Sequence, residues 1–162
     1  MIVVLPGGRA ALEANLGAVA QTRAELSVYT WPAWPIQDEL RRSPEIDLGP
    51  AVARYEAALA RAPRNAAANR RLGQIELSRG QYDAARAHLE AAYATAPYSR
   101  ATRQMLAESY AIAGDVKRAA ELLRTVDINN GQIDARLFWY EHIGEPQRAE
   151  WLRQAERGYH NE

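Results

Sequence analysis

The chain has 162 residues, 20 basic and 20 acidic side chains, 48% apolar residues and no cysteine. That length suits one ordinary domain with its own core. The missing cysteines exclude disulfides, thiolate metal sites and cysteine nucleophiles, zero net charge speaks against a general nucleic-acid binder, and no run approaches the ~20 apolar residues of a membrane span.

Thirty-two residues are alanine, and 19 of the 20 cations are arginine. Much of the apolar fraction is therefore the strongest helix former, and an all-α chain with close helix contacts is expected. Residues 1–8, MIVVLPGG, are apolar and then broken. They are too short for a secretory leader and read either as a frayed end or as the remnant of a membrane helix. A first helix is expected over 9–28, carrying Leu16-Gly17 and Ala20. Over 29–46 the prolines of WPAWP and Ser43-Pro44 break any long helix, leaving IQDELRR for one or two turns. Tyr29, Trp31 and Trp34 stand between Ala and Pro, which hold the segment extended. They read either as anchors for a partner or as caps folded over the end of the first helix pair.

A helix is expected over 47–64, with Asp47 as its N-cap and Pro50 in its first turn. From there the chain repeats at 34 residues. Leu72-Gly73 and Leu106-Ala107 stand 34 apart, as do Gly80 and Gly114, Pro63 and Pro97, and Ala51, Ala85 and Ala119. The unit 65–98 contains one helix with Leu72, Ile75 and Leu77, a turn at Gly80, and a second helix with Ala84, Ala85, Leu89, Ala92 and Tyr93 at spacings of three and four. Gly73 lets the paired helix approach closely, Gly80 takes the positive φ that ends a helix, and Pro97 stops the second helix. The unit 99–131 repeats this with Met105, Leu106, Tyr110, Gly114, Ala119, Leu123 and Val126. Upstream, Leu16-Gly17 takes the place of Leu72-Gly73, and Ala51, Tyr55, Ala58 and Pro63 take those of Ala85, Leu89, Ala92 and Pro97. The first repeat is thus interrupted by an insertion of 22 residues around 29–46. Residues 132–158 read as a degenerate last pair turning at Gly144, four residues short, with helices near Asp134–His142 and Pro146–Arg157. Its polar second helix suits a capping element.

Leu72, Gly73, Gly80, Tyr82, Ala85, Leu89, Ala92 and Pro97 resemble the tetratricopeptide repeat pattern, which departs here at Asn69 and Arg103 (tryptophan place) and at Glu76 (tyrosine place). The resemblance implies an all-α solenoid of about three to four helix-turn-helix pairs. It also implies a concave face lined by first-helix residues, which makes Arg70, Gln74, Leu77, Gln104 and Glu108 candidate partner-binding residues, flanked by Arg71. At the places where some family members clamp a C-terminal carboxylate stand Ala14, Ala18, Arg71, Ala101 and Met105, so binding of chaperone tails is not expected.

No phosphate loop, nucleophile elbow or metal-spaced histidine pair occurs, and His88, His142 and His160 read as solvent-facing. The expectation is a non-enzymatic scaffold with no cofactor or metal that binds another protein. Trp31 and Trp34 join the candidate contact residues. MIVVLPGG followed at once by a helix, with no cysteine, also resembles the C-terminal repeat tails of polytopic bacterial envelope proteins, including O-antigen ligase-like glycan polymerases. That resemblance implies a membrane or envelope partner, an extracytoplasmic location and tryptophans able to stack on sugars. Self-association through the insert or an open helix end is a further alternative.

Overall fold

The computed structural model describes residues 6–29, 37–126 and 130–160. The expectations for residues 1–5 and for Trp31 and Trp34 lie outside them. The described residues contain helices and turns and no strand: α1 (Pro6–Leu26), α2 (Gln37–Arg42), α3 (Gly49–Arg61), α4 (Ala66–Ser78), α5 (Tyr82–Thr95), α6 (Arg100–Ala111), α7 (Val116–Leu123), α8 (Asn130–His142) and α9 (Pro146–His160). None of these helices is long and apolar enough to cross a membrane. The length suggests one domain, but the chain divides into two compact units, one up to Thr95 and one from Ala96. Helix pairs make this possible, because each pair covers its own apolar stripe and needs no core shared by the whole chain.

In the first unit α1 packs on α3, and α4 packs on α5. Both contacts close on a glycine. A Cβ placed on Gly17 would lie 2.6 Å from the Tyr55 ring, and one on Gly73 would lie 2.7 Å from Leu89 and 3.1 Å from the Ala85 carbonyl. Gly17 thus faces the α3 side chain that stands where Leu89 stands on α5. The core of this unit includes Ala14, Leu48, Tyr55, Ala58, Leu72 and Ile75. The short helix α2 lies against α1 and α4.

Helix ends follow local rules. Asn65 caps α4 by accepting from the Ala68 N–H at 3.0 Å, and Ser99, 34 residues on, caps α6 through the Thr102 N–H. The first helix of three pairs ends on a glycine with positive φ: Gly80 at 78°, Gly114 at 88° and Gly144 at 79°. In each case the next residue's N–H bonds back five residues, Gln81 to Glu76, Asp115 to Tyr110 and Glu145 to Tyr140, closing the same C-terminal motif. Asp47 differs from expectation. The N-cap of α3 is Leu48, with no side-chain cap, and Asp47 instead accepts from the Gly49 N–H at 2.8 Å. Its carboxylate is engaged two residues before the first residue of the helix.

In the second unit α6 packs on α7, and α9 packs on α7 and α8. Trp139 and Tyr140 of α8 are buried in its core, while Trp151 of α9 lies against Gly114.

Candidate binding site

The α1–α3 pair is held by a polar chain as well as by packing. Tyr55 is fully buried, and its hydroxyl donates to Gln21 Oε1 at 2.8 Å. Burial pushes that hydroxyl above the ordinary tyrosine range, which keeps it a neutral donor. Gln21 Nε2 donates in turn to Glu25 Oε1 at 2.8 Å. The same oxygen accepts from Arg41 Nε of α2 at 2.7 Å, and Arg41 Nη2 donates to Gln37 Oε1 at 2.9 Å. The Arg41 side chain is only 4% exposed, so α2 is anchored by a buried arginine whose charge is met by Glu25. Further bonds tie α2 to α4: Ser78 Oγ lies 2.7 Å from Asp38 Oδ1, and Arg79 Nε donates to the Arg41 carbonyl at 3.2 Å.

Beside this chain α1, α2 and α4 border an open cavity of about 460 Å³. Its size is that of a ligand cleft. Leu26, Tyr29 and Leu40 supply apolar wall, and Thr22, Glu25, Gln37, Arg41, Arg71 and Gln74 supply the polar groups. The charges are unequal. Glu25 is matched by Arg41, but Arg71 meets no carboxylate among the described residues. Among the described residues it hydrogen-bonds Gln74 Oε1 at 3.4 Å. Arg70, next to it, is half-buried and has no ion pair or hydrogen bond among the described residues. Burial and then the adjacent Arg71 pull its guanidinium below the usual arginine range.

Of the residues expected at a partner surface, Arg71 and Gln74 meet in this cavity, and Arg70 stands beside it. Gln104 is half-buried on α6. Two others do not face solvent. Leu77 is 3% exposed and belongs to the core. Glu108 is 6% exposed; it accepts from Arg136 Nε at 2.9 Å and from the Tyr140 hydroxyl at 2.6 Å, both on α8. It secures helix packing and offers no free carboxylate to a partner. His88 also departs from a solvent-facing reading: its Nδ1 lies 2.7 Å from Glu76 Oε2, joining α5 to α4.

The sequence reading missed Thr22, Glu25, Leu26, Gln37, Leu40 and Arg41 as site residues. Gln37 and Arg41 stand four apart, which is a detectable helical pair. Nothing local connects either of them to Glu25, 16 residues before Arg41.

Residues 76–138 match the family model described as tetratricopeptide repeat. The chain matches no curated protein.

Proposed function

We propose, from a chain that carries tetratricopeptide repeats, that this protein is a non-enzymatic interaction module and that its partner contacts the cavity between α1, α2 and α4. Repeats of this family generally mediate binding between proteins. The fold alone does not assign a site; the chemistry of the cavity lining supports this one. The observation that carries the reading is Arg71, a cation that meets no carboxylate among the described residues, on the wall of a partly apolar cleft. Functional contact at Arg71 and Gln74 explains why a half-buried guanidinium is kept there, since an unpaired charge on a half-buried surface costs stability.

A photo-cross-linking residue placed at Gln74, with a control at exposed Glu121, tests the reading in lysate of the source cells. The expected result is a discrete protein adduct from position 74 that is missing from position 121. Identical patterns from both positions, or none from either, would remove the cavity as a partner site.

A further inference from the structure

The inner face of α1 is occupied: Ala10, Ala14 and Gln21 are buried, and Gly17 meets Tyr55. Its opposite face is open. Leu12, Leu16, Val19 and Leu26 are 55%, 40%, 50% and 61% exposed. With Arg23 they follow one another at spacings of four, three, four and three, the pattern of a seam that receives a second helix. The seam from Leu12 to Leu26 runs about 21 Å at 1.5 Å per residue, the length of a four-turn partner helix. It does not stop at the end of α1, because Thr22 and Leu26 are also walls of the cavity, beside Arg71.

The charges along this surface have one sign. Both acids of α1 are already paired, Glu13 with Arg54 at 2.7 Å and Glu25 with Arg41 at 2.7 Å. Among the described residues Arg9 and Arg23, both exposed, have no ion pair or hydrogen bond, and Arg71 and Arg70 meet no carboxylate. A second copy of this face would bring leucines, but it would set arginine against arginine with no free acid to answer them. A helix with leucine-like residues on one side and Asp or Glu flanking them would satisfy both the seam and the cations.

We infer that the outer face of α1, continued into the cavity at Leu26 and Arg71, docks an acidic amphipathic helix of a partner protein. The inference rests on the reading of the chain as a partner-binding module and names the chemistry of that partner.

The test uses the full 162-residue chain and two labelled 18-residue peptides. Both carry leucine at alternating spacings of three and four; glutamate fills the other positions in one and lysine in the other. Fluorescence anisotropy is expected to show the glutamate peptide binding at least about tenfold more tightly than the lysine peptide, as loss of charge-assisted contacts implies, with the margin shrinking at high salt. Leu16→Asp should abolish binding. Arg23→Glu and Arg71→Glu should weaken the glutamate peptide and favour the lysine peptide. Arg71→Gln, with an unchanged circular dichroism spectrum and melting temperature, guards against misfolding of the charge reversals. Equal binding of the two peptides, or binding indifferent to Leu16→Asp and Arg71→Gln, would overturn the inference. So would a dimer in light scattering that Leu16→Asp dissolves, which would assign the face to a second copy. Binding to vesicles of anionic lipid with the same sensitivities, and not to the peptide, would assign it to a lipid surface. If the peptides fail while the adduct from position 74 persists, the partner chemistry named here falls and the interaction module stands. If both fail, the module falls too.

Discussion

The Tyr55 hydroxyl donates to Gln21 Oε1 at 2.8 Å inside the α1–α3 pair, where both side chains are almost completely buried. The bond starts a chain that passes through Glu25 to Arg41. The α1–α3 pair and α2 are therefore coupled: the carboxylate that anchors α2 is itself held by an amide fixed by the core of the pair.

Tyr55→Phe leaves the buried Gln21 oxygen without its donor. The variant is expected to lose about 1–3 kcal/mol, the cost of an unsatisfied buried polar group. Tyr55→Phe combined with Gln21→Leu should recover part of that loss. Urea denaturation of the two variants checks this; a single variant as stable as the parent chain would show that the bond contributes nothing.

Gly17→Ala and Gly73→Ala set helix propensity against packing. Alanine gains roughly 0.5–1 kcal/mol in a helix interior, but its Cβ would lie 2.6 Å from Tyr55 or 2.7 Å from Leu89. Overpacking of this kind costs about 1–3 kcal/mol, so both variants are expected to be destabilised. Gly73→Ala should suffer more, because the Ala85 carbonyl at 3.1 Å is backbone and cannot rotate aside. Chemical denaturation midpoints decide the order.

The Glu76–His88 pair predicts a pH dependence. The hydrogen bond to Glu76 raises the His88 imidazole above its ordinary value of 6.5, outweighing the opposing effect of burial. A raised folded-state value favours the protonated form, so the stabilisation is complete below about pH 6.5 and fades as pH rises through the higher folded value. Denaturation midpoints from acid to mildly alkaline pH should fall across that window in the parent chain, and the slope should flatten in His88→Gln. A slope unchanged by that substitution would place the titration elsewhere.

Glu108 and Gln104 lie one turn apart on α6, and their substitutions should behave differently. Removing one partner of a buried ion pair costs about 3–5 kcal/mol, and Glu108→Ala also strips the acceptor of the Tyr140 hydroxyl. A loss near the lower end is expected, because Arg136 is 19% exposed. Gln104→Ala should stay within about 0.5 kcal/mol, as is usual for positions without such contacts. Thermal melts of the two variants distinguish a structural carboxylate from a half-buried amide with no such partner among the described residues.

The sequence by itself determined the features that arise within a few residues of chain or at one repeat spacing. Gly80, Gly114 and Gly144 end helices because only glycine takes positive φ there without strain, and Gly73 marks a close approach because the helices on either side carry apolar stripes. Asp47 marks the limit of that local reading, since it bonds the Gly49 N–H and leaves the N-cap place of α3 to Leu48. The tertiary structure alone decided which polar residues face inward. Periodicity states that Gln104 and Glu108 share a face of α6; it does not state that Arg136 and Tyr140 of α8 cover one and not the other. In the same way Arg41 reads as one charge in a polar hexapeptide until α1 supplies Glu25, and Arg71 gains meaning only from a cavity walled by three helices. Helical periodicity fixes the direction of a side chain about its own axis, whereas burial and charge pairing depend on which other helix arrives on that side.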